Sequence, residues 1–136
     1  MDGISEILAT YNCVSLDEKI QFELDGVVEK EIKQAYCIEN LEFCVSCMDY
    51  TTLKVSDTEE SVKNFTADLL KKLKKFNLRD VAAVCVFSNY AGIVREGLKG
   101  TEIQTAVVAG NFPNSQTFTE IKLAECKMAI GAGAQE

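Results

Sequence analysis

The chain of 136 residues carries a formal charge of −7 at neutral pH, and 47% of its residues are apolar. That composition can fill the core of one globular domain, or of part of one. A phosphate-backbone binder normally has a basic face, so the charge argues against nucleic acid as a partner. The N-terminus has no basic segment followed by an apolar run, and no stretch approaches about 18 apolar residues, so we expect a cytoplasmic protein without a membrane partner.

The first part of the sequence, residues 1–43, predicts an N-terminal helical extension. In the segment SLDEKIQFELDGVVEKEIKQAY, apolar residues recur at near-helical spacing: Leu16, Ile20, Leu24, Val27 and Ile32. From residue 44 onward the pattern changes to short β-rich runs separated by helical segments. We therefore divide the chain into the extension and an α/β region over residues 44–136.

Two of the six cysteines, Cys44 and Cys47, form a lone C-x-x-C pair. A zinc ion would need further ligands, and the chain has no histidine and no second close cysteine pair. Disulfides in a secreted fold also lack support, because no signal peptide is recognisable. We expect no metal, and we interpret both residues as small apolar side chains in and near a strand.

Three runs, CVSCMDYTTL, VAAVCVF and IQTAVVA, predict strands in a β-α-β-α-β-α order. Their weak polar alternation favours a parallel sheet covered by helices. Parallel strands joined by single helices occur in doubly wound sheets and in eight-fold barrels, and the pattern alone does not choose between them. Neither G-x-G-x-x-G nor G-x-x-x-x-G-K-[ST] is present, so a nucleotide-binding sheet loses its main support and we expect no cofactor.

The helix between the first two runs is predicted to begin with a capping box formed by Ser56 and Glu59. Its apolar stripe consists of Val62, Phe65, Leu69, Leu73 and Phe76. Four lysines lie in its last turns: Lys71, Lys72, Lys74 and Lys75. We interpret them as a solvated helix face whose positive charge suits the helix dipole, and a binding patch for an anion is the alternative.

The last helix, in TFTEIKLAECKMAI, is predicted to begin with a second capping box formed by Thr117 and Glu120. Gly131 and Gly133 then predict its end, because glycine takes the left-handed conformation that closes a helix. In an α/β chain, a strand normally follows such a stop.

Candidate binding residues gather at the first strand. In MDYTTLK, side-chain alternation directs Asp49 and Thr51 to one face and Tyr50 to the other. A carboxylate inside a barrel must be paired or hydrogen-bonded, and the carboxyl ends of barrel strands collect binding and catalytic groups. Asp49 is therefore a candidate site residue, with the capping of a turn as the alternative.

Three segments in order, MDYTTLKVSDTEESV, VAAVCVFSNYAGIV and AVVAGNFPNSQTFTEIKLAECKMAIGAGAQE, resemble the deoxyribose-phosphate aldolase family from about residue 44 to the last residue. In that family the first strand carries an acid followed by threonines, the second carries A-A-[IV]-C-V with an aromatic residue and usually a proline, and the third leads into a G-F-P-like loop. Ser88 stands where the proline is usual. The matching positions here are Asp49, Thr51, Thr52, Cys85, Phe87 and the run Asn111-Phe112-Pro113.

The resemblance implies a partial (βα)8 TIM barrel, with the first three βα units over residues 44–136 and the chain stopping before strand 4. It also implies a class I aldolase that cleaves 2-deoxy-D-ribose 5-phosphate to acetaldehyde and glyceraldehyde 3-phosphate through a lysine Schiff base. The family pattern places that lysine beyond Glu136, so Lys54 is not assigned this role. The residues expected to line the site of this small phosphorylated sugar are Asp49, Thr51 and Cys85.

Two functional hypotheses follow. In the first, the chain is the N-terminal part of such an aldolase and is inactive alone because it lacks the Schiff-base lysine. In the second, it is a non-catalytic partial barrel, or a subunit that completes a barrel with a partner chain. An open strand edge would favour association, including formation of a homo-oligomer.

We further expect adjacent parallel strands to place Asp49 and Cys85 on the same interior face. Asp49 should lie near the carboxyl end of its strand, with its carboxylate accepting a hydrogen bond from Thr51 or from lysines of a completed barrel. The thiol should contribute shape more than nucleophilicity, because no histidine is available to activate it.

Overall fold

The computed structural model describes residues 2–10 and 13–136, and the chain divides into two compact units, Met1–Leu41 and Glu42–Glu136. The first unit begins with helix α1 at Asp2–Thr10 and helix α2 at Cys13–Val27. A π-helical turn at Val28–Ile32 and the short helix α3 at Lys33–Ala35 follow. Helix α4, Ile38–Ser46, runs across the boundary between the units. Four members of the predicted apolar stripe, Ile20, Leu24, Val27 and Ile32, are 46–52% exposed. The side chain of Leu16 lies outside the described part.

The first predicted strand is wrong over most of its length. Helix α4 continues to Ser46, so strand β1 spans only Asp49–Thr51. Cys44 therefore lies in a helix and Cys47 in the turn after it, both exposed. A short apolar run is too brief for the spacing of its apolar residues to distinguish a strand from a helix. Here Val45 lies in a helix and packs against the core of the second unit.

Three parallel strands form one sheet in the order β1-β2-β3, with β2 at Ala83–Phe87 and β3 at Gln104–Val108. Helix α5, Glu59–Phe76, connects β1 to β2, and helix α6, Ala91–Gly97, connects β2 to β3. Helix α7, Thr119–Ala132, follows β3. A sequential strand order is typical of a (βα)8 barrel, whereas the strand order of a doubly wound sheet reverses at a switch point.

The core lies between α5, α6 and one face of the sheet. Val84 and Val86 of β2 are fully buried there in a cluster with side chains of both helices, Val62, Leu69, Leu73 and Val94, and with Leu98, which follows α6. The predicted stripe of α5 is thus confirmed in its centre. Phe65 is half-buried, and the assignment of Phe76 to the stripe is wrong, because at the end of the helix its side chain is 60% exposed.

Both predicted capping boxes are wrong in position. Helix α5 begins with Thr58 and Ser61, whose side chains each accept the backbone N–H of the other, at 3.2 and 2.8 Å. Several Ser, Thr and acidic residues compete for this role in VSDTEES, and only the fold decides between them. Helix α7 begins after Phe118, with no side-chain cap.

The end of α7 is closed by Gly133, with a φ of +106°, whereas Gly131 lies inside the helix. After this stop, the Gln135 N–H donates to the Thr105 carbonyl at 2.8 Å, and the Val107 N–H donates to the Glu136 carbonyl at 3.0 Å. The Glu136 N–H also donates to the Thr105 carbonyl at 3.3 Å, so Glu136 bonds on both sides of Ala106, as a residue of a parallel ladder does. The Gln135 side-chain oxygen also accepts hydrogen bonds from Arg95 at 2.9 Å and from the Thr105 N–H at 3.2 Å.

Replacing Gly133 by alanine should destabilise the fold by roughly 1–3 kcal/mol, the usual cost of a strained backbone conformation. The residue has a left-handed φ, and an added Cβ would lie 2.9 Å from Cγ of Arg95. The matched control is Gly131→Ala inside α7, where a Cβ meets nothing within 4 Å and should stabilise by about 0.5–1 kcal/mol. Urea unfolding followed by circular dichroism measures both changes. Shifts of the same sign would contradict this account of the helix end.

Candidate functional site

One face of the sheet brings the predicted site residues together. In the register of the parallel strands, Asp49 lies opposite Ala83 and Thr51 lies opposite Cys85. Residues paired in this way point to the same side of the sheet. Tyr50 points to the other side, where its ring stacks on Phe65 of α5 with the centroids 4.2 Å apart. The sheet face that carries Asp49, Thr51 and Cys85 is called the inner face below.

The position of Asp49 along its strand differs from the prediction. Asp49 is the first residue of β1 and lies opposite the first residue of β2, at the amino end of the sheet. The Thr51 hydroxyl donates to the main-chain carbonyl of Asp49 at 3.1 Å, and not to its carboxylate. The extension of α4 to Ser46 explains the difference, because it shortens β1 from its amino end. Asp49 and Thr51 are both exposed.

Cys85 is half-buried in the middle of β2. Burial raises the pKa of its thiol, the nearby Asp49 carboxylate raises it further, and a hydrogen bond with the Thr51 hydroxyl acts in the opposite direction. The thiolate is the nucleophilic form, and a raised pKa keeps the thiol protonated near neutral pH. Cys85 is therefore suited to shaping the inner face and poorly suited to covalent catalysis.

The loop after β1 is fixed by Asp57, which the sequence patterns did not single out. Its carboxylate accepts hydrogen bonds from the Thr52 hydroxyl and the Lys54 N–H, both at 2.9 Å. Its main-chain carbonyl accepts the Tyr90 hydroxyl at 2.7 Å. Tyr90 ends the 3₁₀ turn Ser88–Tyr90 directly after β2, so this bond ties the loops after β1 and β2 together.

A second tie joins the loops after β2 and β3. Glu125 of α7 accepts the Asn111 N–H at Oε2, at 2.9 Å, and the Ser88 hydroxyl at Oε1, at 2.8 Å. The hydrogen bond from Asn111, then that from Ser88, and a smaller contribution from the Gly110 backbone lower the pKa of Glu125, because each favours the charged form. Gly110 and Asn111 have φ values of +69° and +62°. Sequence reasoning missed Glu125 because its partners lie far away along the chain.

No lysine lies on β1, β2 or β3, so none of the strand residues supplies an amine to the inner face. In the second unit the lysines are exposed, except Lys122 of α7, which is half-buried. The ammonium group of Lys72 donates to the Tyr50 hydroxyl at 3.3 Å on the helix side of the sheet. One lysine of the α5 cluster, Lys72, thus makes a hydrogen bond to a residue of the sheet.

Within residues 2–10 and 13–136, no group of three or more His, Cys, Asp or Glu side chains is arranged to hold a metal ion. None of the helices described there is both long enough and apolar enough to span a membrane.

No protein-family profile matches the chain. The deoxyribose-phosphate aldolase of Clostridium novyi is 42% identical over 89 residues, which cover 65% of this chain and 36% of that protein. The deoxyribose-phosphate aldolase of Bos taurus is 33% identical over 130 residues, covering 85% of this chain and 39% of that protein. A tetrameric deoxyribose phosphate aldolase structure from Aeropyrum pernix has a TM-score of 0.54 at 26% identity, over 68% of this chain and 36% of that one.

The chain belongs to the deoxyribose-phosphate aldolase family. It spans less than two fifths of the length of these relatives. The fold of the deoxyribose-phosphate aldolases and the sequential parallel strands confirm the predicted class, a partial (βα)8 barrel. Ser88 follows β2 directly, and its hydroxyl donates a hydrogen bond to Glu125.

Replacing Asp49 by asparagine should lower the pKa of the Cys85 thiol, because it removes a negative charge that disfavours the thiolate. Alkylation of Cys85 by iodoacetamide, followed across pH by peptide mass spectrometry, should then reach half its maximal rate at a lower pH than in the unchanged chain. The control is Glu120→Gln on α7, which removes a carboxylate that does not contribute to the Cys85 shift. An unaltered profile in Asp49→Asn, or an equal shift in the control, would contradict the proposed coupling.

The lowered pKa of Glu125 makes its contribution to stability dependent on pH. The carboxylate stabilises the fold fully above the ordinary glutamate value of about 4.3, and this stabilisation is lost as the pH falls through the lower folded-state value. Glu125→Gln should therefore destabilise the chain at neutral pH by about 1–2 kcal/mol, as expected for hydrogen bonds to a partly exposed charge. The deficit should shrink when urea unfolding is repeated at acid pH. A deficit of constant size across pH would show that the charge is not responsible.

Proposed function

We propose that this chain forms the first three βα units of a class I deoxyribose-phosphate aldolase, which cleaves 2-deoxy-D-ribose 5-phosphate to acetaldehyde and D-glyceraldehyde 3-phosphate. The observation that carries the proposal is the meeting of Asp49, Thr51 and Cys85 on the inner face of adjacent parallel strands. These are the residues that the family resemblance assigns to the substrate side of the site. A cytoplasmic role in deoxyribonucleotide catabolism accords with this reaction.

In this proposal, each of the three residues has a separate role. The exposed Asp49 carboxylate accepts hydrogen bonds from a substrate hydroxyl or from an ammonium group facing it across a completed barrel. Thr51 adds a hydroxyl two residues further along the same face. The protonated thiol of Cys85 lies opposite Thr51 and shapes the site without attacking the aldehyde, since its pKa is raised by burial and by Asp49.

The reactive lysine has to come from outside these three strands. A Schiff base forms when a neutral amine attacks the aldehyde carbonyl and water is lost, so the amine pKa must be lowered by burial or by a second cation. The lysines of the second unit lie on helices and loops, and none of them is buried. The chain by itself is accordingly proposed to be inactive, and the inner face to be one part of a composite site.

A chimera tests this proposal. Residues 44–136 would replace the matching segment of the Clostridium novyi relative, whose remaining strands would complete the barrel. The chimera should cleave 2-deoxy-D-ribose 5-phosphate and give a lysine adduct when acetaldehyde is added with borohydride, whereas the chain alone should do neither. A trapped lysine in the chain alone, accompanied by turnover, would overturn the proposed division of the site.

Substitutions in the same chimera assign the roles. Asp49→Asn should lower kcat by roughly a hundredfold or more, as expected when a group that handles protons or holds the reacting amine is lost. Its melting temperature should change little, because Asp49 is exposed. Cys85→Ala, on the neighbouring strand β2, is the matched control and should leave the chemical step nearly unchanged. Equal losses of kcat in the two variants would contradict the separate roles proposed for Asp49, which binds, and Cys85, which contributes only shape.

A non-catalytic partial barrel that associates with a partner chain is the alternative, and the surface of α7 favours it. Ile121, Leu123, Met128 and Ile130 are 54–76% exposed. At 3.6 residues per turn, Ile121 and Met128 lie on one side of α7, and Leu123 and Ile130 lie on the opposite side. Exposed apolar side chains are typical of interaction sites, and the Aeropyrum pernix relative is described as tetrameric. We expect the isolated chain to self-associate through one of these two sides of α7, or to lose fixed side-chain packing in dilute solution.

Sedimentation velocity and near-ultraviolet circular dichroism check this expectation. A Met128→Glu and Ile130→Lys double variant should reduce the association, and Lys63→Glu on α5 serves as a charge-change control. A sharply melting monomer at all concentrations would contradict it.

A further inference from the structure

Glu125 engages two loops at once, through different oxygens of one carboxylate. Oε1 accepts the hydroxyl of Ser88, which directly follows β2, at 2.8 Å. Oε2 accepts the backbone N–H of Asn111, in the loop after β3, at 2.9 Å. The two donors belong to separate loops, and Ser88 is 37 residues away from Glu125 in sequence. The carboxylate is therefore a physical link between parts of the chain that are otherwise distant.

The geometry of this link makes it stiff. Hydrogen bonds to a charged acceptor are shorter and stronger than those between neutral groups. The two oxygens belong to one planar group, so displacement of the donor at one oxygen also disturbs the bond at the other. On the β3 side, Gly110 and Asn111 lie in a bend and both have positive φ, and the Asn111 N–H of this bend donates to the carboxylate.

The link lies where the inner face ends. Phe87 lies two residues after Cys85 on β2, and Val108 lies two residues after Ala106 on β3. Side chains two residues apart on a strand point to the same side, so all four lie on the inner face. The loops that begin directly after Phe87 and Val108 are those that Glu125 joins. In TIM barrels the loops at the carboxyl ends of the strands form the substrate site.

We propose that Glu125 is a positioning residue of the site, whose carboxylate couples the loop after β2 to the loop after β3 so that the two loops hold one relative position. Its meaning for catalysis rests on the proposed aldolase function. The coupling itself is a property of this chain and needs no substrate. Ser88 supplies the coupling on the β2 side, because its hydroxyl is the donor to Oε1.

The test follows backbone amides by nitrogen-15 NMR and hydrogen exchange in the 136-residue chain. Glu125→Gln should shift the amide signal of Asn111 and speed its exchange about tenfold, the factor that corresponds to losing one charge-assisted hydrogen bond. Ser88→Ala should also speed Asn111 exchange severalfold, although it alters a different loop. Ser88→Thr keeps the hydroxyl and should restore the slow exchange. Glu120→Gln, on the same helix, is the control and should change neither loop.

A double-variant cycle separates coupling from general loosening. In a Glu125→Gln background, Ser88→Ala should have no further effect on Asn111, and exchange of the β2 backbone amides should stay constant throughout. If Ser88→Ala leaves Asn111 unchanged while Glu125→Gln exposes it, or if the two effects simply multiply, the loops are held separately and the proposal fails. These outcomes are independent of the chimera assay, so the coupling and the aldolase function can each fail alone.

Discussion

The pairing register of the three parallel strands determines which side chains meet on the inner face. Because side chains alternate along a strand, Thr51, Cys85 and Ala106 project together once β1, β2 and β3 pair as they do. A shift of β1 by one residue would direct Asp49 into the helix layer and bring Tyr50 to the inner face, at the loss of the stacking between Tyr50 and Phe65. The fully buried Val84 and Val86 oppose the same shift in β2, since it would turn them away from the core of α5 and α6. Core packing on one side of the sheet thus fixes the chemistry on the other.

The loops beyond the strands depend on the same register but are held by polar contacts. The 3₁₀ turn Ser88–Tyr90 lies at the centre of these contacts: Tyr90 binds the carbonyl of Asp57 on one side, and Ser88 binds Glu125 on the other. Glu125 in turn binds the loop after β3. The first three loops of the barrel are therefore connected in series through one short turn, so their arrangement is set before any ligand arrives.

Features determined by local pattern were predictable from the sequence. The runs that contain β2 and β3, the central part of the α5 stripe and the opposite directions of Asp49 and Tyr50 all follow from a period of two or of 3.6 residues. The limits of β1 were not predictable, because CVSC fits a helix or a strand until Val45 meets the core. This ambiguity also displaced Asp49 from the carboxyl end to the amino end of its strand.

Side-chain contacts over long distances in sequence left no pattern to recognise. Asp57 lies among several residues capable of capping a helix, and its choice of Thr52 and Lys54 depends on the path of the loop. Glu125 has the charge and spacing of an ordinary helix-surface residue. Only the fold brings Ser88 and Asn111 to it. The inner-face residues could thus be named from the sequence, whereas the residues that hold the loops could not.

The bonds made by Gln135 and Glu136 along β3 affect how this sheet can misassemble. An open strand edge invites foreign strands by offering unpaired backbone donors and acceptors, the first step toward fibrils. On β3 the Thr105 N–H is bonded to the Gln135 side chain, its carbonyl accepts the Gln135 N–H, and the Val107 N–H is bonded to Glu136. The Arg95 guanidinium holds the same Gln135 oxygen in place. These bonds occupy backbone groups that a strand of another copy would use, so this edge of the sheet is a poor template for an added strand.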